Sequence, residues 1–320
     1  MTPFQTPKRI YFLAFDHRGS LKKKLFGING RNSTPNEFRQ LADVKRLIWE
    51  GVLKAIDNGV PKQHVGVLVD EELSAAVARE AKDAGVTLAM SVEKTGEKLF
   101  DFAYGQAFGR HIEDFDPDYS KVLVRWNPDN DPDTNDLQAA RLRLLNRWLH
   151  DHGRRFLFEL LVPPTDEQLA LVHNNRDAYD TEVRPYLMLK AIQQLRDAGI
   201  EPDIWKIEGL VRSRDCELVA DLIRDNTTRS RNHVVAVVLG RGAERAKVDQ
   251  WLKAAAGVDA YHGFAIGRSN WWSGAEGFIK GTMTRDDAIA QIAAHYQHFV
   301  WTYERAEAAA ACRHLAMAEF

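Results

Sequence analysis

The residues best placed to do chemistry lie in Asp203-Ile204-Trp205-Lys206-Ile207-Glu208-Gly209. Pro202 before this stretch and Gly209 at its end bound a short apolar run that reads as a buried strand. Side chains alternate faces along a strand, so Ile204, Lys206 and Glu208 share one face and Trp205 and Ile207 the other. A lysine in the middle of such a strand is costly to bury. Either an acid such as Glu208 pairs with it, or burial favours the uncharged amine. The second outcome makes a lysine a nucleophile toward carbonyl carbon.

Other charged residues share this pattern. Lys121 and Arg125 have the parity of Leu123 in one apolar run, and Glu159 has that of Leu157 in another. Buried ionised groups are rare unless paired. The set is therefore either an ion-pair network that closes a core or a lysine nucleophile held among acids and bases. A second constellation is Gly240-Arg241-Gly242 with Gly267-Arg268-Ser269. Glycines let backbone approach a ligand, and N–H groups at a helix start favour anions. Arg241 and Arg268 would add charge and bidentate hydrogen bonds, although Gly-Arg-Gly alone also describes a tight turn. Asp16-His17-Arg18 and Glu93-Lys94 close two further apolar runs. His17, between Asp16 and Arg18, reads as a substrate-positioning group, because no His/Asp/Glu spacing resembles a metal triad. Trp271-Trp272 reads as a cap on the core or a contact with the last helix.

Eight apolar runs carry these residues: 10–15, 65–69, 86–92, a fourth centred on 122–124, 155–161, one centred on Lys206, 233–239 and 260–266. Helical spacing follows in 36–58, 73–84, 134–152, 166–173, 183–198, 213–225, 243–256 and 285–307, with an alanine-rich tail from about 306. The stretches from Gly19 to Pro35 and from Glu93 to Phe108 show neither pattern and read as irregular. Strands alternating with helices predict a parallel βα succession. Eight units predict an α/β fold, a closed TIM (β/α)8 barrel in one domain spanning 1–320, with an open doubly wound sheet as the competitor. In such a barrel the active site lies at the C-terminal strand ends, and the loops after strands seven and eight commonly hold phosphate. The charged residues fall at those ends, and the N-terminal ends show no matching cluster.

Composition excludes several classes. Of 320 residues, 45% are hydrophobic and 28% charged, with a net charge of −2. Interspersed charge of low net value leaves no electrostatic footprint for nucleic acid or a membrane surface. Cys216 and Cys312 give neither a disulfide framework nor zinc-ligand spacing, which suits a reducing cytoplasm. Met1 to Lys8 lacks the apolar stretch of a signal peptide, and no run of about 18 apolar residues exists to span a membrane. The expectation is a soluble cytoplasmic protein without metal or cofactor, whose partners are a small molecule and, at most, further copies of itself.

Six motifs in order carry a family resemblance: FDHRGSLKK (Phe15–Lys23), EKTG (Glu93–Gly96), KVLVRWNP (Lys121–Pro128), FELLVPP (Phe158–Pro164), WKIEG (Trp205–Gly209) and AIGRS (Ala265–Ser269). They resemble class I aldolases of the tagatose 1,6-bisphosphate aldolase type. They resemble still more the aldolase-like C-terminal domain of bacterial 5-dehydro-2-deoxygluconokinases of myo-inositol catabolism, here without the kinase half. The likeness runs from roughly Ile10 to Tyr303. It implies a Schiff-base lysine at Lys206, a catalytic glutamate at Glu159, a substrate-contacting lysine at Lys121 and a phosphate-binding arginine at Arg268. Asp16-His17-Arg18 matches the family's Asp-Gln-Arg turn. His17 replaces glutamine there, and Arg125 replaces an uncharged residue. Both departures point away from a hexose bisphosphate and toward a sugar phosphate that also bears a carboxylate, held by Arg125 or Arg18.

Overall fold

A computed structural model describes residues 7–227 and 230–318, with side chains described through residue 313. Most of Met1–Lys8 and the last two residues of the alanine-rich tail lie outside that range. The strands are β1 (Ile10–Ala14), β2 (Val65–Val69), β3 (Thr87–Ser91), β4 (Tyr119–Arg125), β5 (Phe156–Leu161), β6 (Ile204–Glu208), β7 (Val235–Leu239) and β8 (Tyr261–Ile266). They form a closed barrel in chain order. Every pair is parallel, with β1 bonded to both β2 and β8. The barrel displaces the open sheet considered from the sequence.

Strand parity divides the apolar residues into two cores. Ile10, Phe12, Tyr119, Leu157, Ile204, Val235 and Val237 fill the barrel interior. Tyr11, Leu13, Phe158, Trp205 and Ile207 pack outward under the helices. Burial on both faces explains why β1, β2 and β7 read as continuous apolar runs. Phe12 reaches across the interior because β2 has a glycine opposite: a Cβ on Gly66 would lie 2.5 Å from the ring. On β1, β4, β5 and β6, moving two residues toward the C-terminal end on the same face replaces the last interior apolar residue by a polar one. Ala14 leads to Asp16, Tyr119 to Lys121, Leu157 to Glu159 and Ile204 to Lys206. The barrel is thus an apolar plug under a charged floor.

Where elements were expected, their bounds shift by at most two residues, except that the last helix ends at Ala318 and β4 is longer than its apolar centre. Among the α-helices of eight residues or more, three lie where the sequence predicts none: Gly19–Phe26, Phe108–Phe115 and Arg268–Ile279. The first two are short, and the third opens directly on Gly267-Arg268, where an anion loop was expected. The alanine-rich tail is the continuation of one helix, Arg285–Ala318. No helix among the described residues is long and apolar enough to cross a membrane.

Candidate active site

The C-terminal strand ends surround a cavity of about 530 Å³. Register brings the charged floor together, because Glu159 on β5 is the direct partner of Lys206 on β6. Lys206 Nζ lies 2.9 Å from Glu159 Oε2. Lys121 Nζ, from β4, lies 2.9 Å from the same oxygen. Lys121 also donates to Asp16 Oδ2 at 2.7 Å and to Glu93 Oε1 at 2.9 Å. One carboxylate oxygen therefore bridges two lysine side chains, and one of those lysines gathers three acids. Lys121 and Lys206 are 1% and 2% exposed, so solvent does little to screen these contacts.

Burial and charge pull these groups in different directions. Burial would lower the Lys121 ammonium, but Asp16, Glu159 and Glu93 outweigh it and hold it well above the usual lysine range. Burial would raise Asp16, yet Lys121, His17 and Lys206 hold its carboxyl well below the usual range. Glu159 is likewise lowered, burial being outweighed by Lys121 and Lys206. Glu93 goes the other way: burial raises its carboxyl, and Lys121 does not cancel the effect. Its Oε2 has no partner, and its backbone carbonyl accepts from Arg18 Nη2 at 2.6 Å. Burial pushes His17 down to about 3, helped by Arg268, Lys45 and Lys206 and opposed by Asp16. The imidazole is neutral at physiological pH and stands edge-on to Trp271 at 5.5 Å.

Across the cavity, Arg268 is the first residue of its helix and has a buried, unpartnered Nε. Gly242 has φ +70°, a region glycine adopts readily. A Cβ there would lie 3.2 Å from the Arg268 guanidinium. Gly267 admits the close approach of β8 to the end of β1, since its Cβ would meet Ala14 O at 2.8 Å and His17 Cε1 at 2.9 Å.

All the expected site residues line the cavity except Gly240 and Ser269. Gly240 packs toward Ile266. The Ser269 hydroxyl donates to Ala243 O at 2.7 Å, so it braces the loop. Arg241 lines the cavity but is already neutralised: Nη1 donates to both Asp180 oxygens at 2.8 Å, and Nε lies 3.0 Å from Glu208 Oε1. Glu208, offered as a partner for Lys206, instead accepts from Val162 N at 2.8 Å. Arg125 has the inward parity expected, yet at the wide end of the barrel its guanidinium is exposed, 3.5 Å from Glu97 O. Lys94 pairs with Glu97 at 2.9 Å on the exposed rim.

The N-terminal strand ends are also charged, contrary to expectation, with Arg155–Asp118 at 3.2 Å and Arg231–Glu201 at 2.7 Å. Charge at a strand end is therefore not the distinguishing signal. The floor residues differ in being inward, buried and mutually bonded. The sequence reading passed over Arg176, which lines the mouth, and the buried pair Lys45–Asp70. Lys45 did carry a signal, since it stands four residues after Leu41 in the apolar stripe of its helix. Among the described residues, no three His, Cys, Asp or Glu side chains gather as a metal site.

Fold and site together define a parallel (β/α)8 barrel with a buried lysine–carboxylate chain at its C-terminal face. More particularly, the chain belongs to the family described as "Uncharacterized protein conserved in bacteria (DUF2090)", whose profile matches residues 2–307. No curated protein sequence matches it significantly. Among solved structures it is similar to Cgl0159 from Corynebacterium glutamicum (TM-score 0.54, 15% identity, covering 92% of this chain and 86% of that one). It is similar to a Schiff-base-forming fructose-1,6-bisphosphate aldolase (0.53, 12%, covering 91% and 94%). It is also similar to the fructose-bisphosphate aldolase of Plasmodium falciparum (0.57, 13%, covering 91% and 90%). At these identities the likeness is one of fold.

Proposed function

We propose that this protein is a class I aldolase that cleaves a phosphorylated keto sugar acid through a Schiff base on Lys206. The observation that carries the reading is the single Glu159 oxygen shared by Lys206 and Lys121, at the floor of an open cavity with an unpartnered arginine opposite. Two of the similar structures being fructose-bisphosphate aldolases, one of them Schiff-base-forming, agrees with it.

In this mechanism Lys206 Nζ adds to the substrate ketone carbon, and loss of water leaves an iminium. Glu159, poised as a general base, takes the proton from the hydroxyl on the β-carbon. The C–C bond breaks as that oxygen becomes an aldehyde, and the bonding pair flows into the iminium to give an enamine. The enamine is reprotonated on carbon, and water then releases the ketone product and restores Lys206. Lys121 and Asp16 hold the reacting hydroxyl, and Arg268 beside Gly242 takes the phosphate. Arg18, whose Nε is free, holds the carboxylate, or Arg125 does from the rim. The substrate that best fits two anions is 2-deoxy-5-keto-gluconate 6-phosphate, cleaved to dihydroxyacetone phosphate and malonate semialdehyde.

The test is turnover of that compound, followed by release of dihydroxyacetone phosphate with a chelator present. Cleavage of tagatose bisphosphate or a sulfonated ketose in its place would reassign the substrate and keep the chemistry. Ligand binding with no turnover of any of them would leave a sugar-phosphate-binding barrel and end the aldolase proposal.

A further inference from the structure

The turn that carries Asp16 is gripped from outside the cavity. Lys45, on the helix Pro35–Asp57, is 1% exposed. Its Nζ donates to the backbone carbonyl of Phe15, to His17 O at 2.8 Å and to Asp70 Oδ2 at 2.7 Å. An ammonium has three protons, and each has an acceptor here. Asp70 is fully buried just past β2 and is itself fixed. Its Oδ1 accepts from Leu73 N at 2.8 Å, capping the helix Glu71–Asp83, and its Oδ2 accepts from Ser74 Oγ at 3.1 Å.

The two carbonyls that Lys45 holds belong to the residues on either side of Asp16. The clamp therefore fixes the Phe15–Asp16 and His17–Arg18 peptide units, one on each side of the Asp16–His17 unit, without touching the Asp16 carboxylate. From the other side Trp271 Nε1 donates to Ala14 O at 2.9 Å. If only packing mattered, a buried ion pair could give way to apolar side chains at little loss. An apolar side chain cannot hold two backbone carbonyls at a set separation, whereas an ammonium anchored by a capped aspartate can.

We infer that Lys45 and Asp70 are positioning residues: a buried clamp that sets the Asp16 carboxylate against Lys121, and through Lys121 aligns Glu159 with Lys206. The inference rests on the aldolase reading for its kinetic consequence, but not for its structural one.

The experiment compares wild-type protein with Lys45→Met and with the double variant Lys45→Met/Asp70→Asn, which removes both charges together. Two quantities are read: steady-state kinetics on the phosphorylated keto acid, and hydrogen exchange of the amides that bracket the turn, Phe15 and Lys22, which donate to Leu68 O and Arg18 O. The clamp predicts kcat lower by about 100-fold, the scale expected for a misplacement near 1 Å, with KM within about threefold. It also predicts faster exchange at these two amides while β5 and β6 keep their protection. A folded variant with wild-type kcat, or with unchanged exchange at the two amides, overturns the inference. If wild-type protein turns over no substrate, the aldolase reading falls and exchange alone decides: protection lost only at the two amides upholds the clamp, and unchanged protection refutes it. Should Lys45→Met not fold, the double variant supplies both readouts.

Discussion

Replacing Lys121 with methionine removes the one cation that holds Asp16, Glu93 and Glu159 together. Each of the three acids has an oxygen within 2.9 Å of its Nζ. Any two of those oxygens are then at most roughly 6 Å apart, and at an effective dielectric near 20 each like-charged pair repels by about 3 kcal/mol. The folded variant avoids that cost by taking up protons, so its loss of stability at neutral pH settles near the ~3–5 kcal/mol typical of a broken buried pair. At roughly 2 °C per kcal/mol for a chain of this size, Tm falls by about 6–10 °C.

The pH dependence is more diagnostic than the size. In wild-type protein Asp16 and Glu159 are held below their ordinary range. The stability they contribute is fully present above their unfolded values near pH 4 and is lost only as pH falls through the depressed folded values. Without Lys121 the same carboxyls are raised, and a raised carboxyl destabilises the fold above its folded pKa and is relieved as pH falls. Glu93 is already raised by burial and changes less. The gap in Tm between wild type and variant should therefore be widest near pH 8 and shrink toward pH 5. Calorimetry across that range is the assay. A gap that stays constant would show that the three carboxylates do not depend on Lys121.

Glu159→Gln keeps the side chain's shape but cannot accept the substrate proton, so kcat should fall by roughly 100- to 10,000-fold with KM little changed, read by steady-state kinetics. Arg268→Met should raise KM for a phosphorylated substrate by at least about tenfold, because its unpartnered guanidinium supplies a charge-assisted bond and no structural ion pair; inhibition by inorganic phosphate should weaken in parallel. Gly267→Ala would place a Cβ 2.8 Å from Ala14 O and 2.9 Å from His17 Cε1. That crowding should cost about 1–3 kcal/mol in denaturant titration and lower kcat as well, since the displaced turn carries Asp16.

The barrel was legible because parallel strands buried on both faces leave long apolar runs, and eight of these alternate with helical spacing. The inward facing of Lys121, Glu159 and Lys206 followed from strand parity alone. Glu159 as the partner of Lys206 did not follow from spacing. It depends on β5–β6 register, which no single strand encodes, and parity alone had first suggested Glu208. Arg241 reads in sequence as a free arginine between glycines. Its neutralisation by Asp180 requires a residue 61 positions away, brought close by the segment after β5. The helix Arg268–Ile279 is hidden by its glycines, Gly274 and Gly277, where a Cβ would come within 3.1 Å of Ala288 O and 3.0 Å of Met283 Sδ. Lys45 shows the opposite failure: its place in the apolar stripe was visible, but its acceptors are backbone carbonyls, which carry no sequence signature.

The central claim, that Lys206 is the nucleophile, is tested most directly by borohydride reduction in the presence of dihydroxyacetone phosphate, followed by peptide mass spectrometry. The account predicts one reduced adduct, on the peptide that contains Lys206, absent in Lys206→Ala and greatly slowed in Glu159→Gln. An adduct on Lys121 in its place, no adduct at all, or full catalytic activity in Lys206→Ala would contradict it.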